Sequence, residues 1–312
     1  MPTYRNPVHD GYFADPFVLR TAGGYVAYGT GSVVDGRIFE VLVSHDLVSW
    51  RRAGGALEPL PPEAGTDYWA PEVAEHDGAW WMYYSVGFGD RGHRLRVAAG
   101  DRPTGPFRDQ GVDLAPGELF AIDPSPFRDR DGSWYLYVAH DVLDGDRVGT
   151  MLGVGVLDGM TRLRDGIRTI LRPSGDWQVF RRDRPMYGAR YDWHTLEGQF
   201  VRHREGRYWC FYSGGSWLEP TYGVACAVAD HPLGPWRDVG DVPLLRTVPG
   251  RVVGPGHNCV VTGPGGQDVM VYHAWDATRT ARRMCVDPLL WTPDGPRLLG
   301  PTWEPASLPR WA

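Results

Sequence analysis

Three carboxylates and one histidine of this chain stand in similar sequence settings. Asp15 and Asp123 each precede a proline, Glu197 stands in Leu-Glu-Gly, and His257 stands in Gly-His-Asn. Where such side chains meet in a partly desolvated site, repulsion between like charges raises the pKa of at least one carboxyl. A carboxylic acid with a raised pKa beside an ionised carboxylate is the pair that cleavage of a glycosidic bond requires.

Each of these residues also has an ordinary structural interpretation. An Asp before Pro often initiates a turn, a Glu beside Gly is often a solvated loop residue, and His257 could be a hydrogen-bonded core histidine. Taken singly, the four signals are weak. Their recurrence at matching places in the chain favours chemistry.

The elements that would position these residues are five similar segments. Each begins at an acidic residue or a histidine or next to one, passes through a short apolar run and a glycine-containing turn, and ends in an aromatic-rich strand. The segments are DPFVLRTAGGYVAYGTG, PEVAEHDGAWWMYYSVG, DPSPFRDRDGSWYLYVAH, EGQFVRHREGRYWCFYSGG and HNCVVTGPGGQDVMVYHAW. Because glycine supplies the positive φ of tight turns, each segment is predicted to be a β-hairpin.

The spacing of the segments predicts the fold class. Their markers are separated by 57, 51, 74 and 60 residues and are Asp15, Glu72, Asp123, Glu197 and His257. Units of this length suit four-stranded antiparallel blades. We therefore predict an all-β fold, a five-bladed β-propeller forming one domain over residues 1–312. A β-sandwich is the alternative, but it does not explain the repeat.

In a propeller the innermost strand of each blade begins at the central channel. We therefore expect Asp15, Asp123 and Glu197 at equivalent positions that face this channel. Glu72 fits less well, since it lies six residues before its turn glycine, whereas Asp123 and Glu197 lie nine before theirs.

Composition limits the partners and the chemistry. The net charge is −6 and no basic run is present, which argues against nucleic acid and anionic membranes as partners. The chain contains no lysine, so Schiff-base catalysis through a lysine is excluded. The four cysteines form no CxxC pair and are expected to be buried free thiols rather than disulfides.

The N-terminal segment lacks the charged and apolar regions of a signal peptide, and no apolar stretch approaches the ~20 residues that span a bilayer. We therefore expect a cytoplasmic protein.

In order along the chain, YFADPFVLR, DYWAPEVAEHDGAWWMYYS, FAIDPSPFRDRDGSWYLYV, LEGQFVRHREGRYWCFYSGG and GPGHNCVV resemble the serial motifs of glycoside hydrolase family 43, from about Asn6 to Trp291. This resemblance implies a five-bladed propeller that hydrolyses arabinofuranosides or xylosides with inversion. It implies that Asp15 is the general base, Glu197 the general acid, and Asp123 the residue that tunes and orients the acid. His257 resembles a histidine that helps to hold a central metal ion, often calcium.

Further residues are candidates for sugar binding. The segment ARRMCVDPLLW resembles the family stretch that directs an arginine into the sugar subsite, with Arg282 the better match and Arg283 the alternative. Trp69 and Trp193 are expected to stack on a sugar, since each lies near a segment marker, although packing between blades is the commoner role of tryptophan. Glu72 is a further candidate. The Arg-rich segment 141–191 is expected either to shape the rim of the site or to be a solvated loop.

The predicted function is that of an inverting glycoside hydrolase that releases a terminal pentose, α-L-arabinofuranose, from plant-type oligosaccharides. The alternatives are a β-D-xylosidase, another exo-glycosidase such as a galactosidase, a retaining enzyme acting on fructosides, and a non-catalytic sugar-binding propeller. No cofactor is expected to be required for the chemistry; the one metal expected is a structural Ca²⁺ in the central channel.

Overall fold

The computed structural model describes residues 3–308 of the chain. Almost all regular structure in this range is β-strand, and its only helices are two single-turn 3₁₀ segments, Pro62–Ala64 and Asp176–Gln178. Neither of these could span a membrane. Residues 1–2 and 309–312 of the expected single domain lie outside the described range.

The strands follow one another as blades of four: three blades are separate four-stranded antiparallel sheets, and blades three and four join with one additional strand into a nine-stranded sheet. A short strand, β1 (Thr3–Tyr4), precedes them. Blade one is β2 (Ala14–Thr21), β3 (Gly24–Val34), β4 (Arg37–Ser44) and β5 (Arg51–Leu57). Blade two is β6 (Asp67–His76), β7 (Ala79–Phe88), β8 (Arg91–Gly100) and β9 (Arg108–Asp113). Blade three is β10 (Ala121–Arg128), β11 (Trp134–Val142), β12 (Gly149–Leu157) and β13 (Arg168–Leu171).

An additional strand, β14 (Val179–Met186), pairs with the first part of β15 (Ala189–Arg204) and extends it beyond the ring. Blade four continues with β16 (Arg207–Gly214), β17 (Gly223–Ala229) and β18 (Arg237–Asp238). Blade five is β19 (Val253–Thr262), β20 (Asp268–Trp275), β21 (Arg282–Thr292) and β22 (Gly295–Leu298). A last strand, β23 (Ala306–Ser307), pairs with β1. The predicted five-bladed β-propeller is confirmed.

Local turn chemistry explains why the strands fold back where they do. Four two-residue turns have positive φ at both positions, the geometry that suits the right-handed twist of a hairpin. They are Asp35-Gly36, Asp77-Gly78, Tyr187-Gly188 and Glu205-Gly206. The second and fourth are the His-Asp-Gly and Arg-Glu-Gly turns predicted from the sequence.

Tyrosines of the second strand of each blade fill the space between neighbouring blades. Those that are fully buried are Tyr28, Tyr83, Tyr84, Tyr137, Tyr212 and Tyr272. This accounts for the apolar, aromatic character of these strands, since both faces are covered. The four cysteines are also buried and unpaired, as expected.

The ring closes between the first and the last blade. The Phe13 N–H donates to the Arg282 carbonyl oxygen at 2.9 Å, and the Tyr4 hydroxyl donates to Asp287 Oδ1 at 2.7 Å. Blades three and four are joined by parallel pairing of Gly149 with His194. These contacts join the first blade to the last and blade three to blade four.

One backbone feature recurs in all five inner strands. Each carries a bulge, and the residue inside the bulge has a positive φ between 47° and 54° in Asp15, Ala70, Asp123, Gly198 and His257. Four of these are not glycine, and such residues are uncommon in this conformation and concentrate at functional sites.

The bulges correct the expected equivalence of the three acids. Asp15, Asp123 and His257 occupy equivalent positions, whereas Glu197 lies one residue before the equivalent Gly198 and Glu72 lies two after Ala70. The expectation was wrong for Glu197 because counting back from the turn glycine does not locate the bulge residue.

Candidate active site

A cavity of about 580 Å³ opens where the inner strands begin. It is lined by five of the polar residues predicted from the sequence to be functional, which are Asp15, Asp123, Glu197, His257 and Arg282. The rest of its wall combines aliphatic and polar residues with five aromatic ones, which are Tyr12, Tyr68, Trp69, Phe180 and Trp217. Aromatic walls around a few convergent polar groups are typical of small-molecule sites.

Asp15 lies among cationic and imidazole groups. Its Oδ1 is 3.1 Å from Arg282 Nη1, 3.3 Å from His273 Nδ1 and 3.4 Å from His257 Nδ1. Burial by itself would raise the pKa of Asp15, but Arg282 and the two histidines outweigh it and hold the pKa well below its usual range. Asp15 is therefore ionised at neutral pH.

Arg282 is fixed by aromatic neighbours as well as by Asp15. Its Nη2 donates to the Tyr12 hydroxyl at 2.8 Å, and its guanidinium lies 4.4 Å from the centre of the Trp217 ring. Arg283 instead pairs with Asp276 at 3.1 Å and does not line the cavity. Of the two arginines, the structure brings Arg282 to the site.

Glu197 differs from Asp15 in its protonation. Burial, together with the negative charge of Asp15, raises the pKa of Glu197 to about 7, against the opposing hydrogen bond from Tyr222. The Tyr222 hydroxyl donates to Glu197 Oε1 at 2.7 Å. Much of the Glu197 population therefore carries a proton near neutral pH, whereas Asp15 in the same cavity is ionised.

Asp123 lies beside the backbone that carries Glu197. Its Oδ2 accepts a hydrogen bond from the Gly198 N–H at 2.8 Å, and its carbonyl oxygen accepts one from Gln199 Nε2. Burial, then the charges of Glu197 and Asp15, raise the pKa of Asp123 well above its usual value. These contacts fit a residue that orients the acid.

His257 faces two carboxylates. Its Nδ1 is 3.4 Å from Asp15 Oδ1 and 3.8 Å from Asp123 Oδ2, and burial lowers its pKa. Calcium prefers six to eight oxygen ligands, whereas within residues 3–308 no three His, Cys, Asp or Glu side chains are grouped so as to hold a metal ion. The residues present therefore do not form a calcium site by themselves. The expected Ca²⁺ stays a prediction, and no step below depends on it.

Three candidate sugar-binding residues differ in where they lie. Trp69 lines the cavity, with its ring 3.7 Å from that of His93. Trp193 is completely buried, and its indole N–H donates to Thr150 Oγ1 at 3.4 Å. Glu72 is buried near Ser125 and Asp123, and burial raises its pKa well above its usual value.

Neither Trp193 nor Glu72 lines the cavity, so the expected contacts of these two residues with a sugar do not fit their positions. Trp193 lies at the part of β15 that pairs with β14, where Tyr187 and Tyr191 cover its ring. Trp217, rather than Trp193, lines the cavity wall.

Sequence reasoning missed Tyr222 and His273. Tyr222 stands in a turn between β16 and β17, outside every repeated motif, and nothing in the sequence marked it. His273 belongs to the fifth segment, in Val-Tyr-His-Ala-Trp. It pairs with Gly256, the residue before His257 in the inner strand, and this pairing would have indicated that His273 lies close to the site.

Comparison with known proteins agrees with this geometry. The profile described as "Glycosyl hydrolases family 43" matches residues 4–296. A β-D-galactofuranosidase of Aspergillus niger is 29% identical, with 90% of this chain and 80% of that protein covered. An extracellular endo-α-(1→5)-L-arabinanase of Bacillus subtilis is 25% identical, with 90% and 86% covered. The crystal structure of a thermostable family-43 glycoside hydrolase superposes with a TM-score of 0.88 at 30% identity, covering 99% of this chain and 100% of the other.

The expected cytoplasmic location is contradicted by these relatives. The Bacillus subtilis protein is named extracellular. So is an exo-α-(1→5)-L-arabinofuranosidase of Cellvibrio japonicus, 24% identical over 84% of this chain and 79% of that protein. The expectation was based on the absence of a signal-peptide pattern and of a membrane-spanning apolar stretch, and the names of these relatives contradict it.

Proposed function

Since this chain belongs to glycosyl hydrolase family 43 and therefore acts on glycosides, we propose that it is an exo-acting α-L-arabinofuranosidase that works with inversion. The observation that carries the chemistry is the opposite protonation of two carboxyls in one cavity. Asp15 is ionised, whereas the pKa of Glu197 is raised to about 7. Environments that separate the pKa values of two carboxyls assign the base and the acid.

The proposed reaction is a single displacement. The Asp15 carboxylate accepts a proton from a water molecule as the water oxygen bonds to the anomeric carbon. The bond from that carbon to the leaving oxygen breaks, and the Glu197 carboxyl donates its proton to this oxygen. Asp15 ends protonated and Glu197 ionised, and both return to their initial states by proton exchange with solvent.

The neighbouring residues support these roles. Arg282 and the two histidines stabilise the ionised form of Asp15, so the base is available at neutral pH. Asp123 accepts a hydrogen bond from the Gly198 N–H and thereby orients the backbone next to Glu197. The Arg282 guanidinium lies over the Trp217 ring, so this part of the cavity wall combines a cation with an aromatic surface. Such a wall suits a sugar ring, which has hydroxyls at its edge and C–H groups on its face.

Two relatives support arabinofuranose as the sugar, since their names specify α-(1→5)-L-arabinan linkages. A second candidate is a β-D-galactofuranoside, the substrate named for the Aspergillus niger relative. Galactofuranose presents the same size of ring with one further exocyclic carbon, so the two sugars compete for one type of cavity.

The test compares kcat/KM on aryl α-L-arabinofuranoside, β-D-galactofuranoside and β-D-xyloside, and follows the first anomer released by proton NMR. We expect the arabinofuranoside to be preferred and the inverted anomer to appear first. A preference for another sugar, or inactivity of the folded protein on all three, would refute the substrate assignment. A retained anomer would refute the single displacement.

Two variants test the roles. Glu197→Gln should lower kcat on an unactivated disaccharide by about 100- to 10,000-fold, with a smaller loss on an aryl glycoside whose leaving group needs no proton. Asp15→Asn should abolish turnover of both substrates. Glu72→Gln is the matched control, because Glu72 is a buried carboxyl with a raised pKa that lies outside the cavity.

A further inference from the structure

A second concave surface lies beside the catalytic cavity. It has a volume of about 560 Å³ and is formed by the turn between β7 and β8 on one side and the hairpin of β14 and β15 on the other. Asp90, in the first of these turns, lines both this groove and the catalytic cavity. The two spaces are therefore adjacent, with Asp90 between them.

The hairpin that forms the groove contacts blade two through an ion pair. Arg184 donates from Nη2 to Asp90 Oδ2 at 2.8 Å. The same guanidinium lies 4.9 Å from the centre of the Phe180 ring and 5.3 Å from that of Trp193. Phe180 lines the catalytic cavity. Strand β14 therefore contributes Phe180 to the cavity and Arg184 to the ion pair beside the groove.

Tyr187 presents an aromatic face at the tip of this hairpin. It is the first residue of a tight turn with φ of 50°, followed by Gly188 at 77°. Its hydroxyl donates to Asp141 Oδ2 at 2.7 Å, and its ring packs 6.1 Å from that of Trp193. The side chain is nonetheless 41% exposed, which leaves an ordered aromatic surface open to solvent.

The rest of the groove has a mixed character. Leu119 is 52% exposed, and the exposed charges of Asp90, Arg91 and Arg190 lie around it with both signs. Exposed aromatic and aliphatic surface with hydrogen-bonding groups at its edge suits a neutral polyhydroxylated ring, whose C–H face is apolar and whose rim is polar.

We propose that this groove binds the sugar units on the leaving-group side of the scissile bond, with Tyr187 as the stacking residue. The occupant is assigned by adjacency: the groove shares Asp90 with the cavity, so a chain whose terminal sugar lies at Asp15 and Glu197 can extend past Asp90 into the groove. The inference rests on the proposed function and extends it. The hairpin of β14 and β15 then makes the enzyme select for oligosaccharides over simple glycosides.

The test compares substrates of different length in matched variants. Wild type, Tyr187→Ala, Tyr187→Phe and Phe88→Ala are assayed on an aryl α-L-arabinofuranoside and on α-(1→5)-linked arabino-oligosaccharides of two to five units. Phe88 is 51% exposed on the β7–β8 hairpin but lines neither space, so it controls for loss of an exposed aromatic ring.

We expect kcat/KM of the wild type to rise with chain length. Tyr187→Ala should reduce kcat/KM about tenfold for the longer oligosaccharides and leave the aryl glycoside unchanged. Tyr187→Phe, which keeps the ring, and Phe88→Ala should both keep the length dependence. An equal loss on both substrate types, or no loss on either, overturns the proposal.

Binding separates this inference from the proposed function. Glu197→Gln is titrated calorimetrically with the same oligosaccharides, with and without Tyr187→Ala. Affinity that increases with length and falls about tenfold on removal of Tyr187 supports the groove even if turnover of arabinosides is absent. Affinity that does not depend on Tyr187 contradicts the groove even if turnover is present.

Discussion

Removal of the Tyr222 hydroxyl should make the enzyme work at higher pH. Tyr222 donates to Glu197 Oε1 at 2.7 Å, and this bond stabilises the ionised form of Glu197, which is inactive as an acid. In Tyr222→Phe the charged form loses its donor while burial and the charge of Asp15 continue to act on it. The pKa of Glu197 must therefore rise further.

The size of the shift follows from the kind of bond that is lost. A hydrogen bond to a charged group contributes about 1.5–3 kcal/mol, and one pKa unit corresponds to about 1.36 kcal/mol. The alkaline limb of the kcat/KM profile should then move from about pH 7 to about pH 8–9. At pH 8 the variant should be more active relative to its own optimum than the wild type is.

The assay must make proton transfer from Glu197 to the leaving oxygen rate-determining. Unactivated arabinobiose is therefore used in place of an aryl glycoside, and kcat/KM is measured between pH 4 and pH 10 because it reports groups of the free enzyme. Tyr137→Phe is the matched control, since Tyr137 is an equally buried tyrosine whose hydroxyl donates to the Pro232 carbonyl oxygen at 2.8 Å. An alkaline limb that is unmoved or moves down in folded Tyr222→Phe would show that Tyr222 does not control the acid.

Three further outcomes follow from the same groups. The wild-type profile should fall above pH about 7 as Glu197 ionises, while its acid limb should lie below the usual range of an aspartate because the pKa of Asp15 is depressed; a neutral acid limb would contradict this assignment. Arg282→Ala leaves Asp15 buried without its cation and should cost about 3–5 kcal/mol of unfolding free energy, measured by urea denaturation, and it should move the acid limb upward. Glu72→Gln should retain activity and be stabilised relative to wild type as pH rises. The folded state holds the proton of Glu72 more tightly than the unfolded state does, so wild-type stability declines at high pH; urea midpoints at pH 6 and pH 9 that shift equally in both proteins would refute this.

The sequence predicted the blades well because their signals are local. Each signal, a turn glycine or an aromatic run in a second strand, lies within a stretch of about ten residues. Asp77-Gly78 and Glu205-Gly206 form the expected turns. Asp15, Asp123 and His257, which the sequence also singled out, each lie directly in an inner-strand bulge and line the cavity.

The remaining features depend on contacts between distant parts of the chain. Proximity to Glu197 suggested that Trp193 reaches the sugar, but the extra strand β14 covers that part of β15 and buries the ring. Tyr222 reaches Glu197 from the next turn of the same blade, a contact that no spacing rule indicates. The pKa of Glu197 likewise depends on the charge of Asp15, 182 positions earlier in the sequence.

The five inner-strand bulges have an evolutionary consequence. The same backbone conformation is occupied by Asp, Ala, Asp, Gly and His in successive blades, so its geometry does not depend on any one side chain. An ancestral blade copied five times would have presented five identical groups to the axis. Divergence at this one position, with the ring unchanged, is sufficient to place the proposed base in blade one, the proposed orienting acid in blade three and an imidazole in blade five. Ala70 in blade two shows that the backbone conformation does not require a polar side chain at this position.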